Sequence, residues 1–297
     1  MSLPRIGITA GDPAGIGPEI ARKAMTDARV VAACEPLFYG PGHEFQPGAL
    51  SAEAGYAAYE TIVRAVRDAE AGGIDGIATA PINKEALALA GLPWRGHTEM
   101  LADLTHTKRV AMMFWSEKLR VVLATIHIPL AQVPSALTIE SVMDIIDLTC
   151  RALPRFGIPH PRIALAGLNP HAGEHGVLGI EESHVLEPAV ARSAKAGIDI
   201  AGPFPGDTIF LRAMRGEFDA VIACYHDQGL IPIKMVAFGQ AVNVTLGLPI
   251  IRTSVDHGTA FDIAGKGIAD PESMVQAVLL AARLAGGSGS HGIYSQR

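Results

Sequence analysis

Short β-branched runs alternate with helix-forming stretches along the whole chain, and this alternation limits the fold more than any single motif does. Residues 5–9, 36–39, 74–79, 110–115, 119–126, 162–166 and 220–223 read as strands. Residues 17–33, 52–71, 138–156 and 271–285 read as helices, with Pro18 in a first turn, where a missing N–H costs nothing. Strand–helix alternation predicts α/β layering with a mainly parallel sheet. At 297 residues the chain is long enough for two lobes. The expected division is 1–125 with 245–297 as one lobe and 126–244 as the other, forming a single catalytic unit. A Gly/Ser-rich tail is expected to fray over 286–297.

Composition excludes several function classes. Apolar residues make up 49%, too many for a disordered chain, and charged residues only 18%, so a partner subunit is expected to cover part of the surface. A net charge of −6 with no Lys/Arg run argues against nucleic-acid binding. No window reaches the roughly 20 apolar residues that span a bilayer, and the N-terminus has no signal-peptide pattern. Cys34, Cys150 and Cys224 are widely spaced and odd in number, which fits no disulfide framework and points to the cytoplasm.

The polar and glycine-rich segments follow the apolar strands. Ligands of open α/β sheets bind beyond the carboxyl ends of strands. The loops at 11–17, 97–99, 127, 169–176, 226–234 and 257–267 are therefore candidates for one shared site. Three of them carry a histidine after a strand: His127 ends LRVVLATIH, His171 lies in GLNPHAGEHG and His226 in VIACYHDQG. Three strand-end imidazoles can converge on one divalent ion and leave positions open for substrate oxygens. Their spacing is no local metal motif, and each alone is compatible with an ordinary loop histidine. His175, four residues from His171, fits either a ligand or a rim residue.

Cations are scarce, so Lys234 and Arg252 beside apolar, turn-rich segments are candidate handles for phosphate or carboxylate. Asn243 lies nearby in VNVTLG. His97-Thr98-Glu99 offers donors at a helix start, or Thr98 is an ordinary N-cap. The turn at 11–19, GDPAGIGPE, does not fit the dinucleotide fingerprint, because its glycine spacing is wrong and Asp12-Pro13 interrupts it. The block 257–267, HGTAFDIAGKG, is expected to lead into a helix start and to offer backbone donors to a dinucleotide's phosphates.

These blocks, with APINKEAL at 80–87, GDTIF at 206–210, YHDQGLIPIK at 225–234 and VNVTLGLPIIRTSVDHGTAFDIAGKG at 242–267, resemble the 4-hydroxythreonine-4-phosphate dehydrogenase family in order and over nearly the whole chain. The resemblance implies the two-lobed isocitrate/isopropylmalate dehydrogenase-like fold. It also implies an interdomain active site completed by the partner of a homodimer, and NAD or NADP bound without the usual fingerprint. By the same resemblance His127, His171 and His226 hold one divalent ion (Zn, Co or Mg). His97, Thr98, Lys234, Asn243 and Arg252 contact substrate; His257, Gly258, Thr259, Ala260 and Asp262 contact the dinucleotide. Asp207 and Asp227 match acidic positions near the metal, and Asp227, Asp207 or Lys234 is the expected proton acceptor.

The implied reaction is oxidation of 4-phosphohydroxy-L-threonine at C3, then decarboxylation to 3-amino-2-oxopropyl phosphate in pyridoxine synthesis. Two departures from the family pattern widen the substrate choice to 4-phospho-D-threonate or 4-phospho-D-erythronate: the stretch 40–55 is short, and His175 stands where a glycine is usual. The retained His97, Thr98 and Arg252 favour a phosphorylated acid over an aromatic dihydrodiol. Rival readings are a metal-dependent phosphatase or aldolase and a non-catalytic sensor. The first predicts no response to NAD(P). The second should have lost a ligand histidine or the 257–267 block.

Overall fold

The computed structural model describes residues 2–287. Its strands are β1 (Arg5–Thr9), β2 (Glu35–Tyr39), β3 (Gly76–Thr79), β4 (Ala111–Trp115), β5 (Arg120–Leu123), β6 (Ile163–Ala166), β7 (Ile200–Phe204), β8 (Ala220–Ala223), β9 (Val242–Leu246) and β10 (Arg252–Ser254). Its α-helices are α1 (Gly17–Met25), α2 (Ala28–Ala33), α3 (Ala52–Glu70), α4 (Lys84–Leu89), α5 (His97–Leu104), α6 (Val133–Ala136), α7 (Ile139–Ala152), α8 (Glu187–Lys195), α9 (Gly206–Met214), α10 (His226–Ala237) and α11 (Glu272–Gly286).

The chain forms two compact units, Met1–Val110 with Val242–Arg297 and Ala111–Ala241. The sequence division at 125/126 and 244/245 would put β4 and β5 in the first unit. They fall in the second because β5 pairs in parallel with β8, Val121 opposite Val221. The expected tail lies outside the described residues from 288 onward; Gly286 still belongs to α11.

In the first unit the strand order is β2-β1-β3-β10-β9, parallel except for β10 against β9. Its core packs Ile62 of α3, Ile77 of β3, Leu87 of α4 and Met100 and Leu101 of α5. In the second the order is β4-β5-β8-β6-β7, and only β4 against β5 is antiparallel. Val121, Leu123, Val221, Ile209 and Ile233 make the centre of that core. Both units therefore carry the expected mainly parallel sheet.

Helix ends follow local chemistry. Ser51 caps α3 by accepting the Ala54 N–H, and Thr138 and Ser141 form a reciprocal capping box at α7. The single helix expected over 17–33 is two, because Asp27 is extended and its carboxylate accepts the Arg29 N–H, starting α2 afresh. The helix expected over 138–156 gives way after Ala152 to a 3-10 turn, Leu153–Phe156, that closes on left-handed Gly157. Among the described residues no helix is long and apolar enough to cross a membrane.

Candidate active site

In the second unit β5, β8 and β6 are parallel neighbours, so their carboxyl ends share one edge of the sheet. His127 follows β5, His226 opens α10 just after β8, and His171 lies in the loop after β6. Side chains stitch the three ends together. The Thr125 hydroxyl donates to the Cys224 carbonyl at 2.7 Å. Gln228 accepts the Cys224 N–H and donates to the Gly167 carbonyl, both at 2.7 Å. Gly229 lets α10 sit down on the sheet: a Cβ there would come within 2.7 Å of the Val121 and Leu123 side chains. The start of α10, and His226 with it, is fixed by that contact.

The His127 and His226 rings lie 5.6 Å apart, centroid to centroid. Asp227 Oδ1 is 2.7 Å from His226 Nδ1, which orients the ring and leaves Nε2 as the nitrogen for a ligand bond. Among the described residues no three His, Cys, Asp or Glu side chains gather as a metal-holding group. The structure thus pairs His127 with His226 and adds no third donor to them. His171 stands on its own loop, where His171, Ala172, Gly173, Glu174 and His175 all have positive φ. A left-handed run costs on the order of 1–2 kcal/mol for each non-glycine residue, and such strain persists only where surrounding contacts impose it. His175 shares this turn and is exposed. Asp207 is exposed in the first turn of α9, and Lys234 is half-buried on α10.

The first unit holds Arg252, His97, Thr98 and Asn243, candidate anion and substrate contacts. Arg252 is buried at 2% exposure at the head of β10. Its guanidinium donates to the Thr79 hydroxyl through Nη2 at 2.8 Å and Nε at 3.2 Å, and to the Thr245 hydroxyl through Nη1 at 2.9 Å. Neutral hydroxyls fix its orientation without cancelling its charge; no carboxylate pairs with it among the described residues. Burial pushes its pKa down to about 9, so it stays charged at neutral pH. His97 opens α5, and burial and then the Arg252 charge push its pKa well below the usual histidine range. Its imidazole is therefore neutral. His97 Nε2 and Asn243 Oδ1 are buried with no hydrogen-bond partner. An unneutralised guanidinium beside a neutral imidazole suits an anion, whereas Asn243 Oδ1, an acceptor, suits a hydroxyl or amine donor. Thr98 is buried, and the N-cap of α5 is Gly96.

The block 257–267 does not lead into a helix. Residues 261–265 are turns, Ala260 has positive φ, and the next helix, α11, begins only at Glu272. Left-handed Gly265 and Gly267 prevent helical continuation. The block is tied instead to the first glycine turn: the Ile16 N–H donates to the Thr259 carbonyl at 2.9 Å. His257, Gly258 and Asp262 are exposed, and Thr259 and Ala260 are half-buried.

Thr79, Thr125, Gln228 and Thr245 escaped the sequence reading. Each acts through a partner on another element, and no local pattern marks them.

The model of the family described as pyridoxal phosphate biosynthetic protein PdxA matches residues 16–281. A 4-hydroxythreonine-4-phosphate dehydrogenase of Desulforapulum autotrophicum is 46% identical over 322 aligned positions, covering 94% of this chain and 95% of the relative. A D-threonate 4-phosphate dehydrogenase of Pectobacterium atrosepticum is 42% identical, covering 94% and 99%. The crystal structure of a 4-hydroxythreonine-4-phosphate dehydrogenase from Klebsiella pneumoniae superposes with TM-score 0.86 at 41% identity, covering 95% of this chain and 98% of that one. An isocitrate dehydrogenase from Methylococcus capsulatus, at 18% identity and TM-score 0.52, shares the fold.

Proposed function

The chain belongs to the PdxA family of dehydrogenases, and from that premise we propose that it oxidises 4-phosphohydroxy-L-threonine at C3 with NAD or NADP and a divalent cation. The supporting observation is the buried, carboxylate-free Arg252 beside a neutral His97, a combination suited to a phosphate dianion. Thr98, Asn243 and Lys234 complete the substrate contacts. The 257–267 block, through His257, Gly258, Thr259, Ala260 and Asp262, receives the dinucleotide.

His127, His171 and His226 are proposed to hold the cation, a donor set that suits Zn or Co and is less natural for Mg. Adjacent strand ends and the 5.6 Å His127–His226 pair support this set. When bound, a divalent cation lowers the pKa of a coordinated hydroxyl and stabilises developing negative charge. The chain's own residues do the rest. Arg252 and His97 hold the phosphate and align C3. The C3 hydride passes to the nicotinamide. The hydroxyl proton goes to a base among Lys234, Asp207 and Asp227, with Asp227 first engaged in orienting His226. The resulting β-keto acid loses CO2 to give 3-amino-2-oxopropyl phosphate, a precursor in pyridoxine synthesis.

4-Phospho-D-threonate is the second reading, because a relative at 42% identity bears that substrate's name. The alignment of 322 positions against a chain of 297 residues means that relatives carry residues this chain lacks. Nicotinamide reduction with 4-phosphohydroxy-L-threonine, 4-phospho-D-threonate and 4-phospho-D-erythronate, each with NAD and NADP and added cation, decides among them. Reduction is expected with the first. No reduction with any would sink the proposal, and turnover of phospho-D-threonate alone would replace it with the second reading.

We further propose a cytoplasmic homodimer whose partner completes the site. Three free cysteines fit the compartment. Ile231 and Met235 on α10 and Phe238 just beyond its end stand exposed, Met235 at 82% and Phe238 at 81%. Sedimentation is expected to give a dimer. Met235→Glu with Phe238→Glu is expected to yield monomers and to lower activity. A wild-type monomer that is fully active would overturn the assembly.

A further inference from the structure

Glu182 is a carboxylate that the dehydrogenase chemistry above does not use. It is buried at 2% exposure and has no cation partner among the described residues. All of its hydrogen bonds run to the loop after β6. Oε1 accepts the Leu168 and Asn169 backbone N–H groups, each at 2.8 Å. Oε2 accepts the Asn169 side-chain amide at 2.9 Å, and that amide also donates to Glu181 at 2.7 Å. On the far side of the carboxylate lies left-handed Gly173, where a Cβ would come within 2.7 Å of Oε2. Residues 168, 169 and 173 thus wrap one carboxylate, and His171 is carried on the arc between them. The arc closes with Ala172 N–H donating to the Asn169 carbonyl at 3.1 Å and Leu178 N–H to the Gly173 carbonyl at 3.0 Å.

Five consecutive left-handed residues do not stand unaided. Glu182 packs on the buried side of this turn, against Gly173. A lone buried carboxylate is likewise unfavourable for stability unless its lone pairs are filled, and here the loop fills them.

We propose that Glu182 is the positioning residue of the His171 turn, its carboxylate holding residues 171–175 in the left-handed arc that presents His171 as a ligand. The ligand part rests on the three-histidine reading above. Charge alone is not enough for this role; reach is required. Glu182→Asp keeps the charge, is one methylene short of the loop, and should fail. Glu182→Gln keeps one carbonyl oxygen for the two backbone N–H groups but turns an NH2 toward the Asn169 side-chain amide, also a donor, and should succeed in part.

The experiment uses the full chain stripped of metal, with two readouts. Zn2+ affinity is measured by competition with a chromophoric chelator. Amide hydrogen exchange is followed over residues 168–176. Glu182→Ala and Glu182→Asp are expected to weaken Zn2+ binding by about 10- to 100-fold, the usual effect of losing an outer partner of a metal site. Exchange over 168–176 should quicken while β5 and β8 keep their protection. Glu182→Gln should fall between wild type and Glu182→Asp in both, and Glu182→Asp carries the test if the alanine variant does not fold. Unchanged exchange in the Asp and Ala variants would overturn the bracing role. Faster exchange with unchanged Zn2+ affinity would overturn the link to the ligand. His171→Ala is measured alongside: if it binds Zn2+ like wild type, the three-histidine reading falls and the ligand role of this turn falls with it, while the exchange readout still decides the bracing.

Discussion

Replacing Arg252 by methionine is expected to leave the free protein as stable as before or more so, while cutting kcat/KM by roughly 30- to 5,000-fold. The two effects have one cause. The guanidinium is buried, and among the described residues its hydrogen bonds go only to the neutral hydroxyls of Thr79 and Thr245. Burial pushes its pKa in the folded state below the ordinary arginine value, to about 9. Folding therefore opposes the charged form. That penalty is in full force at neutral pH and lifts only as pH rises through 9. Methionine fills much of the volume without the charge. Removing buried ionic groups in favour of apolar ones stabilises proteins by about 1–4 kcal/mol where packing is kept, and the Thr79 hydroxyl keeps a partner in Ser254 at 2.9 Å, while Thr245 loses the bond it makes to Arg252. A bound phosphate loses its buried counter-charge, worth about 2–5 kcal/mol. Thermal melts with and without inorganic phosphate, beside steady-state kinetics, check both halves. Phosphate should raise the melting temperature of wild type and leave that of Arg252→Met unmoved. A variant that melts many degrees lower, with phosphate stabilisation intact, would make Arg252 a structural residue.

His226→Ala is expected to cost about 10^3-fold in kcat/KM, equivalent to roughly 4 kcal/mol of transition-state stabilisation, and to lose bound metal. His226 is the ring held from both sides, by Asp227 on Nδ1 and by α10 seated on Gly229. Asp227→Asn separates orientation from proton transfer. If Asp227 only orients the ring, the asparagine variant should lose about 10- to 100-fold together with metal affinity. A loss as deep as that of His226→Ala with metal content unchanged would instead make Asp227 the proton acceptor. Full metal content in His226→Ala, measured by elemental analysis, would remove His226 from the donor set.

The strands that sequence makes legible are the ones whose side chains obey the burial rule. β3, β4, β5, β6 and β8 are runs of apolar residues, buried almost throughout. β7, β9 and β10 break the rule and were missed. β7 contains a Gly-Pro pair, which propensity places in turns. β9 interleaves Asn243 and Thr245 with its apolar residues, and β10 is three residues long with a buried arginine at its head. α10 contains Gly229 and Pro232, both poor helix formers, and is held by packing. These are the places where function overrides local consistency. Among the site residues, the strand-end histidines and the scarce cations declared themselves by residue type. Thr125, Gln228, Thr79 and Glu182 did not, because a threonine or a glutamate gains its role only from the strand register that sets a distant partner beside it.

The first unit is built from both ends of the chain, and this has a consequence for synthesis. β3 leaves the ribosome long before β10, which follows it by more than 170 residues and alone supplies its second parallel neighbour. Until then one edge of β3 has no strand to pair with, whereas the whole of Ala111–Ala241 has already emerged as an uninterrupted segment able to form its own sheet. The inserted unit can thus mature first, and the nascent chain carries an open, sticky strand edge while that unit is made. Closing that edge and burying Arg252 are the same event, so the candidate anion site forms only after the inserted unit has been translated.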